Sequence, residues 1–128
     1  MMREILFRGK TKEGEWVEGG VLQFHDYTAI CAYNDYHEWH DFIEVVPETV
    51  GQYTGLNDKN GTKIFEGDVV RCHCLNRFLV RKVVFDQYTA EFRMRDIYGC
   101  HKIYDPLLCE VLGNVHDNPE LFKGGLAE

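Results

Sequence analysis

The sequence lacks the features of membrane, secreted and repetitive proteins. In this sequence of 128 residues, every apolar run is much shorter than the stretch of about 20 residues that a transmembrane helix needs. The first apolar stretch, residues 5–7, is shorter than the about 7–15 residues of a signal-peptide core. There are only 3 prolines, no low-complexity tract, and no internal repeat with a period of about 20–50 residues. We therefore expect a cytoplasmic protein with no membrane partner.

Catalytic and nucleotide-binding signatures are also missing. The sequence has no G-x-S-x-G, no P-loop and no G-x-G-x-x-G. Residues 37–40 (HEWH) fall one position short of the H-E-x-x-H zinc motif, which places its histidines one helical turn apart. Glu66 and Asp68 could form a carboxylate pair, but beside Gly67 we expect them to cap turns. We predict a protein that is not an enzyme, with no catalytic residue and no cofactor.

The 5 cysteines are an odd number, and without a secretory signal they are expected to be reduced thiols, mostly buried. Cys72 and Cys74 flank a histidine in a C-x-C, whereas zinc sites commonly use C-x2-C. In a strand both thiols would share one face and the histidine the other. Cys100, His101 and Cys109 could add ligands only if the fold gathers them. Two buried thiols on a core face explain the pattern more simply, so we predict no metal.

The net charge of -7 is unevenly distributed. Residues 1–50 hold 4 Lys/Arg against 10 Asp/Glu, and residues 51–128 hold 10 against 11. An acidic total disfavours binding to a polyanion. Within 71–95 the balance is basic, and adjacent strands could align a nucleic-acid surface from Arg71, Arg81, Lys82, Arg93 and Arg95. The alternative is the ordinary solvated face of a sheet, with some of these side chains paired to Asp86 and Glu91.

Strand signals dominate the chain, so we expect a mainly β protein with little helix. Short β-prone runs closed by glycine turns suggest a small β-rich region over residues 1–50. Over residues 51–128 we expect a hairpin, five strands between 66 and 115 that form an SH3-like barrel, and a short C-terminal helix. The N-terminal region is expected to pack on this barrel.

Glycine, proline and asparagine mark the expected turns. Gly19-Gly20 predicts a hairpin turn or a bulge. A strand over residues 42–46 is expected to end at Pro47, which cannot donate to a ladder. Asn60-Gly61 tolerates positive φ at both positions and should close a hairpin.

Three local expectations concern the C-terminal half. Gly67 should permit a tight bend, and the Asp68 carboxylate should accept hydrogen bonds from nearby amides. A strand over residues 90–95 should have one buried and one wet face. Asn118-Pro119 reads as an N-cap followed by a first-turn proline, which predicts the C-terminal helix.

A group of aromatic side chains lies in the acidic half and comprises Tyr27, Tyr33, Tyr36, Trp39 and Phe42. Their alternation is poor, so some should be exposed, and exposed aromatic residues are typical of interface hot spots. We predict a protein-interaction surface that contains Tyr33, Tyr36, Trp39 and Phe42. The alternative is that most of these rings belong to the core.

Three blocks of the sequence resemble the YopX family, small proteins encoded by phages and prophages of bacteria. The first is residues 2–8 (MREILFR) with 14–19 (GEWVEG). The second is residues 46–56 (VPETVGQYTGL) with 58–61 (DKNG) and 64–70 (IFEGDVV). The third is residues 110–121 (EVLGNVHDNPEL). The second block is long and specific, and together the three span the chain.

The resemblance implies a mostly β, phage-derived protein of a bacterial host cell with an SH3-like barrel in its C-terminal half. It supplies no catalytic residue. The family motif is expected to be structural, and its residues are Gly51, Gln52, Tyr53, Thr54, Gly55, Asp58, Asn60, Gly61, Glu66, Gly67, Asp68, Gly113, Asn114, Asn118 and Pro119.

The function expected from these observations is non-enzymatic binding or assembly through protein–protein contacts, with a homo-oligomer or another protein as partner. The alternative is a nucleic-acid-associated accessory protein that uses the basic strands of residues 71–95.

Overall fold

β-prone runs separated by turn residues give a structure made mainly of strands. The computed structural model describes residues 3–33 and 39–122, which form ten strands and two 3₁₀ turns. The strands are β1 (Phe7–Lys10), β2 (Trp16–Gln23), β3 (Thr28–Tyr33), β4 (Trp39–Asn57), β5 (Lys63–Phe65), β6 (Asp68–Cys74), β7 (Arg77–Asp86), β8 (Glu91–Asp96), β9 (Gly99–Lys102) and β10 (Cys109–Asn114). The 3₁₀ turns are Pro106–Leu108 and Pro119–Leu121. The prediction of a mainly β protein is confirmed.

The chain divides into two compact units, unit 1 (Met1–Tyr53) and unit 2 (Thr54–Glu128). Strand β4 runs through the boundary between them. Among the residues that the structure describes, no helix combines the length and apolar character needed to cross a bilayer.

In unit 1, antiparallel pairing passes from β1 to β2, β3 and β4 and returns to β1. Phe7 lies opposite Gly19 of β2 and also opposite Gln52 of β4. The circuit therefore leaves β1 paired on both sides. Its core includes the buried Ile30 and Val45. Gly9 packs against Val45, where an added Cβ would approach the valine side chain to 2.9 Å, so this close approach requires glycine.

The expectation of a turn or bulge at Gly19-Gly20 is wrong, because β2 continues through both glycines. Gly19 pairs with β1 and Gly20 pairs with β3. The glycine pair marks the position where one strand changes partner.

The expectation that a strand ends at Pro47 is also wrong, because β4 continues to Asn57. The ladder between β1 and β4 is interrupted here: Lys10 pairs with Val46, but Arg8 pairs with Gly51. Pro47 lies in the interruption, where its missing N–H is not needed. The Thr49 hydroxyl accepts from the Lys10 amide at 2.9 Å and donates to the Val46 carbonyl at 2.6 Å, which satisfies ladder groups on both sides of it.

Unit 2 contains a five-stranded antiparallel sheet in the order β10-β6-β7-β8-β9. Five strands were expected between residues 66 and 115 and five are present, although no individual strand was predicted at the position of β9. Ala90, expected to begin β8, instead has φ +56 and donates its amide to the Asp86 carbonyl. It therefore closes the turn, and β8 begins at Glu91. The core on one face of this sheet consists of Ile64, Val70, Cys72, Val83, Met94 and Cys109.

The turn predictions in unit 2 are confirmed. Gly61 has φ +81 in the connection between β4 and β5, and the Gly61 amide donates to the Asp58 carbonyl. Gly67 has φ +92, and the Asp68 carboxylate accepts from the Phe65 amide at 2.7 Å. Both turns depend on the local backbone preferences and side-chain hydrogen bonds of residues that can be recognised in the sequence.

The expected C-terminal helix is not present in the described residues, where a single 3₁₀ turn covers Pro119–Leu121. Asn118 makes no side-chain cap. Its side-chain oxygen instead accepts from the Asn114 amide at 3.4 Å. The Phe122 amide donates to the Pro119 carbonyl three residues back, which is the 3₁₀ pattern and not the four-residue α-helical one.

Candidate functional site

Three exposed rings of unit 1 form an aromatic cluster, which we define as Phe24, Tyr27 and Phe42. Their relative exposures are 41%, 40% and 56%. Phe24 stacks on Tyr27 with ring centroids 4.6 Å apart and an interplanar angle of 20°. Phe42 lies 6.2 Å from Phe24 at a tilt of 50°. Phe24 thus contacts both other rings, and three neighbouring rings that remain accessible to solvent provide a pre-formed apolar contact area.

The aromatic cluster is built by a short connection and a neighbouring strand. Phe24 and Tyr27 flank His25-Asp26 between β2 and β3, and the Phe24 amide donates to the Tyr27 carbonyl at 2.8 Å. This bond brings the two rings together. Phe42 comes from β4, at the position opposite Cys31 of β3. The backbone of the β2–β3 connection and of β4 is hydrogen-bonded, so the three rings are held in an ordered arrangement.

Of the predicted interaction residues, the structure places Phe42 in the aromatic cluster. Tyr36 lies outside the described residues. The side chains of Tyr33 and Trp39 also lie outside them, although the two backbones pair at the end of the β3–β4 ladder. Sequence reasoning missed Phe24. The available signal was its position with Tyr27 on either side of the polar His25-Asp26 pair.

The predicted basic residues fall on two faces of the sheet in unit 2. The register places Lys82 opposite Arg95, with Arg93 two residues from Arg95 on the same face. Arg71 belongs to this face because it lies opposite Val80 of β7. Arg81 alternates to the other face. The five side chains therefore do not form one stripe.

Ion pairs occupy part of the basic face. Arg71 approaches Glu110 at 3.6 Å, and Arg93 contacts Glu91 at 2.9 Å. Lys82 and Arg95 have no ion pair among the described residues. These two cations are adjacent on this face.

Arg81 belongs to a buried ionic network. Its guanidinium donates to the Asp96 carboxylate at 2.8 Å, and the other carboxylate oxygen lies 3.1 Å from the His101 ring. Burial alone would raise the pKa of Asp96, but hydrogen bonds from the Tyr98 amide, Arg81 and His101 hold that pKa below its ordinary value. Burial opposes the charge of Arg81, yet its bond to Asp96 raises the guanidinium pKa. These two charges stabilise each other inside unit 2.

The same face carries a partly open cavity of about 270 Å³, which we call the thiol cavity. Its lining includes Cys72, Cys74, Met94 and Cys109. The Cys72 and Cys109 sulfur atoms are 2.7 Å apart, and Cys72 Sγ is 3.7 Å from Met94 Sδ. All five cysteines are free thiols. The fold thus gathers Cys109 with Cys72, although the described residues contain no group of His, Cys, Asp and Glu arranged to hold a metal ion.

Asp58 is the central family-motif residue of unit 2. Its carboxylate is buried, at 3% relative exposure, and accepts from the amides of Asn60, Thr62 and Val111 at 2.8–2.9 Å. Burial alone would raise the pKa of Asp58, but these three bonds hold it below its ordinary value. One carboxylate thus joins the β4–β5 turn to β10.

Other motif residues extend this scaffold. Thr54 donates its hydroxyl to the Ile64 carbonyl at 2.8 Å. The Gly67 carbonyl accepts from the Val115 amide at 2.9 Å. At Gly113, a Cβ would collide with the side-chain oxygen of Asn118. The Asn114 side chain accepts from the His116 and Asp117 amides. These contacts hold the second and third sequence blocks together.

The remaining motif residues have local backbone roles or partial burial. Gly51 and Gln52 pair with β1, and Tyr53 donates its amide to the Leu6 carbonyl. Gly55 has φ +89, Glu66 is partly buried, and Pro119 begins the last 3₁₀ turn.

Comparison with known proteins gives a family but no activity. The sequence matches the YopX family, described as YopX protein, over residues 6–123. The chain belongs to the YopX family. No curated protein matches it.

Among solved structures, the chain is similar to protein EF1440 from Enterococcus faecalis at 22% sequence identity with a TM-score of 0.53. The match covers 95% of this chain and 100% of that one. At this identity the likeness concerns the fold alone.

Proposed function

We propose that this chain is a non-enzymatic binding protein of phage or prophage origin that acts in the bacterial cytoplasm through protein–protein contacts. The observation that carries the proposal is the aromatic cluster, in which three stacked or tilted rings are each about half exposed. Interface hot spots are rich in aromatic residues that sit in such patches.

The pairing pattern of unit 1 favours contact through side chains. β1 is paired on both sides, so the circuit offers no free edge at that strand for a partner to extend. An apolar ring surface is therefore the better candidate than strand addition. Phe42, the most exposed ring of the three, is the expected anchor.

The charge of unit 1 selects the class of partner. Residues 1–50 carry 10 acidic against 4 basic side chains, and residues 51–53 add no charge. Opposite charge at the rim steers association and rejects like-charged surfaces. We infer a protein partner with an apolar socket and a basic rim, and a second copy of this chain is the other partner that the experiment distinguishes.

We further propose that the sheet of unit 2 curls into an SH3-like barrel. Its two edge strands, β9 and β10, are consecutive in the chain. Their connection contains the 3₁₀ turn Pro106–Leu108, which advances only about 2 Å per residue. A short connection between opposite edges supports a curled sheet. Backbone contacts between β9 and β10 in solution would establish it, and widely separated edges would refute it.

The test of the binding function uses the full chain, tagged and incubated in bacterial lysate, with Phe42→Ala and Tyr88→Ala compared side by side. Tyr88 is fully exposed and lies in unit 2, so it is the matched control. We expect the wild type and Tyr88→Ala to retain the same protein, and Phe42→Ala to lose at least about 80% of it, as expected for a hot spot worth more than 1 kcal/mol.

Light scattering on the purified chain identifies the partner class. A mass above 15.0 kDa that depends on Phe42 would mean self-association, and a monomer would mean a different protein. Equal retention by the wild type and Phe42→Ala, or no retained protein and a monomer, would refute the proposal.

A nucleic-acid role is the second candidate, and the adjacency of Lys82 and Arg95 favours it. It predicts retention of DNA or RNA with a steep negative dependence on salt, lost in Lys82→Glu/Arg95→Glu. Absence of binding at low salt would end this alternative.

A further inference from the structure

We propose that Cys72 and Cys109 form a reversible disulfide on exposure to hydrogen peroxide, which makes the thiol cavity a peroxide-responsive modification site. The proposal concerns unit 2 and is independent of the aromatic cluster.

The backbone register already permits the bond. Cys72 of β6 lies directly opposite Cys109 of β10 in the antiparallel ladder. Directly opposite residues in such ladders have Cα atoms about 4.5–5.5 Å apart, within the about 4.4–6.8 Å range of disulfides. The two sulfur atoms are 2.7 Å apart. Bond formation therefore requires only a small side-chain movement.

Access to the two thiols determines the oxidant. Cys72 is 2% exposed and Cys109 is 4% exposed, yet both line the thiol cavity. A molecule close to water in size can enter a cavity of about 270 Å³. A peptide disulfide such as oxidised glutathione is far bulkier. The arrangement therefore favours hydrogen peroxide over low-molecular-weight disulfides.

The surroundings assign a role to each thiol. The contact with Cys109 and the nearby charge of Arg81 hold the pKa of Cys72 below its ordinary value, against the effect of burial. The same contact and burial raise the pKa of Cys109. Arg81 also donates to Cys74 Sγ at 3.3 Å. Cys72 is thus the attacking thiolate, and Cys109 is the thiol that resolves the product.

The reaction has two balanced steps. The Cys72 thiolate attacks one peroxide oxygen, the O–O bond breaks, and the departing hydroxide takes a proton to leave as water, which gives Cys72 sulfenic acid. Cys109 then attacks the Cys72 sulfur, the S–O bond breaks, and a second water leaves with the Cys109 proton. Overall, two thiols lose two electrons and two protons, and one peroxide becomes two waters. A dithiol reductant reverses the bond by exchange.

The test treats the folded full chain with hydrogen peroxide, blocks the remaining thiols and maps peptides by mass spectrometry. Trypsin cleavage after Arg71 and Arg77 leaves Cys72 and Cys74 in one peptide, so the mapping is done on Cys74→Ser as well as the wild type. We expect loss of two hydrogens, protection of two of the five thiols, and a peptide containing Cys72 linked to the one containing Cys109. A dithiol reductant should restore all thiols.

Two variants separate the roles. Cys109→Ser should give no link and should accumulate sulfenic acid on Cys72, detected with a dimedone-type reagent. Cys100→Ser is the matched control, because Cys100 is partly buried and outside the proposed pair, and it should form the link at the wild-type rate. Oxidised glutathione should react at least about tenfold more slowly than peroxide, as thiol burial predicts.

Several outcomes would overturn the proposal. These are a link that involves Cys74 or Cys100 instead, unreacted Cys72 and Cys109 in the folded protein, or a link that forms only after denaturation. The wild-type map decides the matter even if Cys109→Ser fails to fold.

Discussion

Unit 1 and unit 2 treat their polar and aromatic side chains in opposite ways. Unit 1 carries a large acidic excess and leaves Phe24, Tyr27 and Phe42 exposed against one another. Unit 2 is nearly neutral and buries Asp58 and Asp96, each with several hydrogen bonds. Buried charges are tolerated only when they are paired or hydrogen-bonded. The loss of one of these contacts in unit 2 should therefore lower the free energy of unfolding strongly.

This difference assigns separate roles to the two units. The second and third family blocks meet in unit 2, where Asp58 bonds to Val111 and Gly67 bonds to Val115. We expect these residues to maintain the fold. The binding role that we propose belongs to unit 1. Substitutions in unit 2 should therefore change stability, and substitutions in the aromatic cluster should change binding.

The largest expected effect is that of Asp58→Ala. It removes the acceptor of three amide hydrogen bonds, and each buried amide left without a partner costs about 1–3 kcal/mol, so the free energy of unfolding should fall by at least about 3 kcal/mol. Urea denaturation followed by circular dichroism measures the change. The control is Asp105→Ala, which removes one exposed bond to the Leu107 amide and should cost about 1 kcal/mol or less. Similar losses for the two variants would contradict the scaffold role of Asp58.

Paired glycine substitutions compare the units directly. Gly113→Ala in unit 2 forces a Cβ against Asn118 and should lower the free energy of unfolding by about 1–3 kcal/mol. Gly20→Ala in unit 1 has no atom within 4 Å of its added Cβ, and it should raise stability by up to about 1 kcal/mol because it restricts the unfolded chain. Thermal melts of both variants check the sign. Equal destabilisation would show that unit 1 is packed as tightly as unit 2 at these positions.

Acid should destabilise the protein through Asp58 and Asp96. Their folded pKa values lie below the ordinary carboxyl value, so their contribution is complete above the unfolded pKa of about 4. It is lost as the pH falls through the folded pKa. Urea midpoints measured from pH 7 to pH 2 should therefore decline below about pH 5, and the decline should be shallower in Asp58→Asn. A midpoint that stays constant down to pH 3 would contradict this account.

The smallest stability effect is expected at the aromatic cluster. Phe42→Ala should change the free energy of unfolding by no more than about 0.5 kcal/mol, the range typical of exposed positions. A loss of more than about 2 kcal/mol in urea denaturation would place Phe42 in a core and would remove it as a binding surface.

The sequence predicts those parts of the fold that depend on local chemistry. Asn60-Gly61 and Gly67 adopt the expected turns, because their backbone preferences do not depend on distant partners. The hairpin turn or bulge predicted at Gly19-Gly20 is wrong because these glycines mark a change of strand partner, which depends on tertiary structure. β9 was missed because residues 99–102 (GCHK) show no apolar alternation.

The candidate sites were less predictable. Cys72 and Cys109 are 37 positions apart and meet only because β10 lies beside β6. Phe42 was predicted from the group of aromatic residues in the acidic half. Phe24, the ring next to it, lies in the connection between β2 and β3. Arg81 was grouped with the other basic residues, although Arg81 and Lys82 are adjacent in one strand and therefore lie on opposite faces. Which side chains of different strands come together depends on the order in which the strands pair. The sequence pattern does not specify that order.

The most direct measurement of the central claim is site-specific photocrosslinking. A benzoylphenylalanine placed at Phe42 or at Tyr88 in the full chain replaces one exposed aromatic ring with a photoreactive one. On irradiation in bacterial lysate, position 42 should give a discrete protein adduct, and position 88 should give none. An adduct from position 88 alone, or none from either position, would contradict the proposal that unit 1 carries the binding surface.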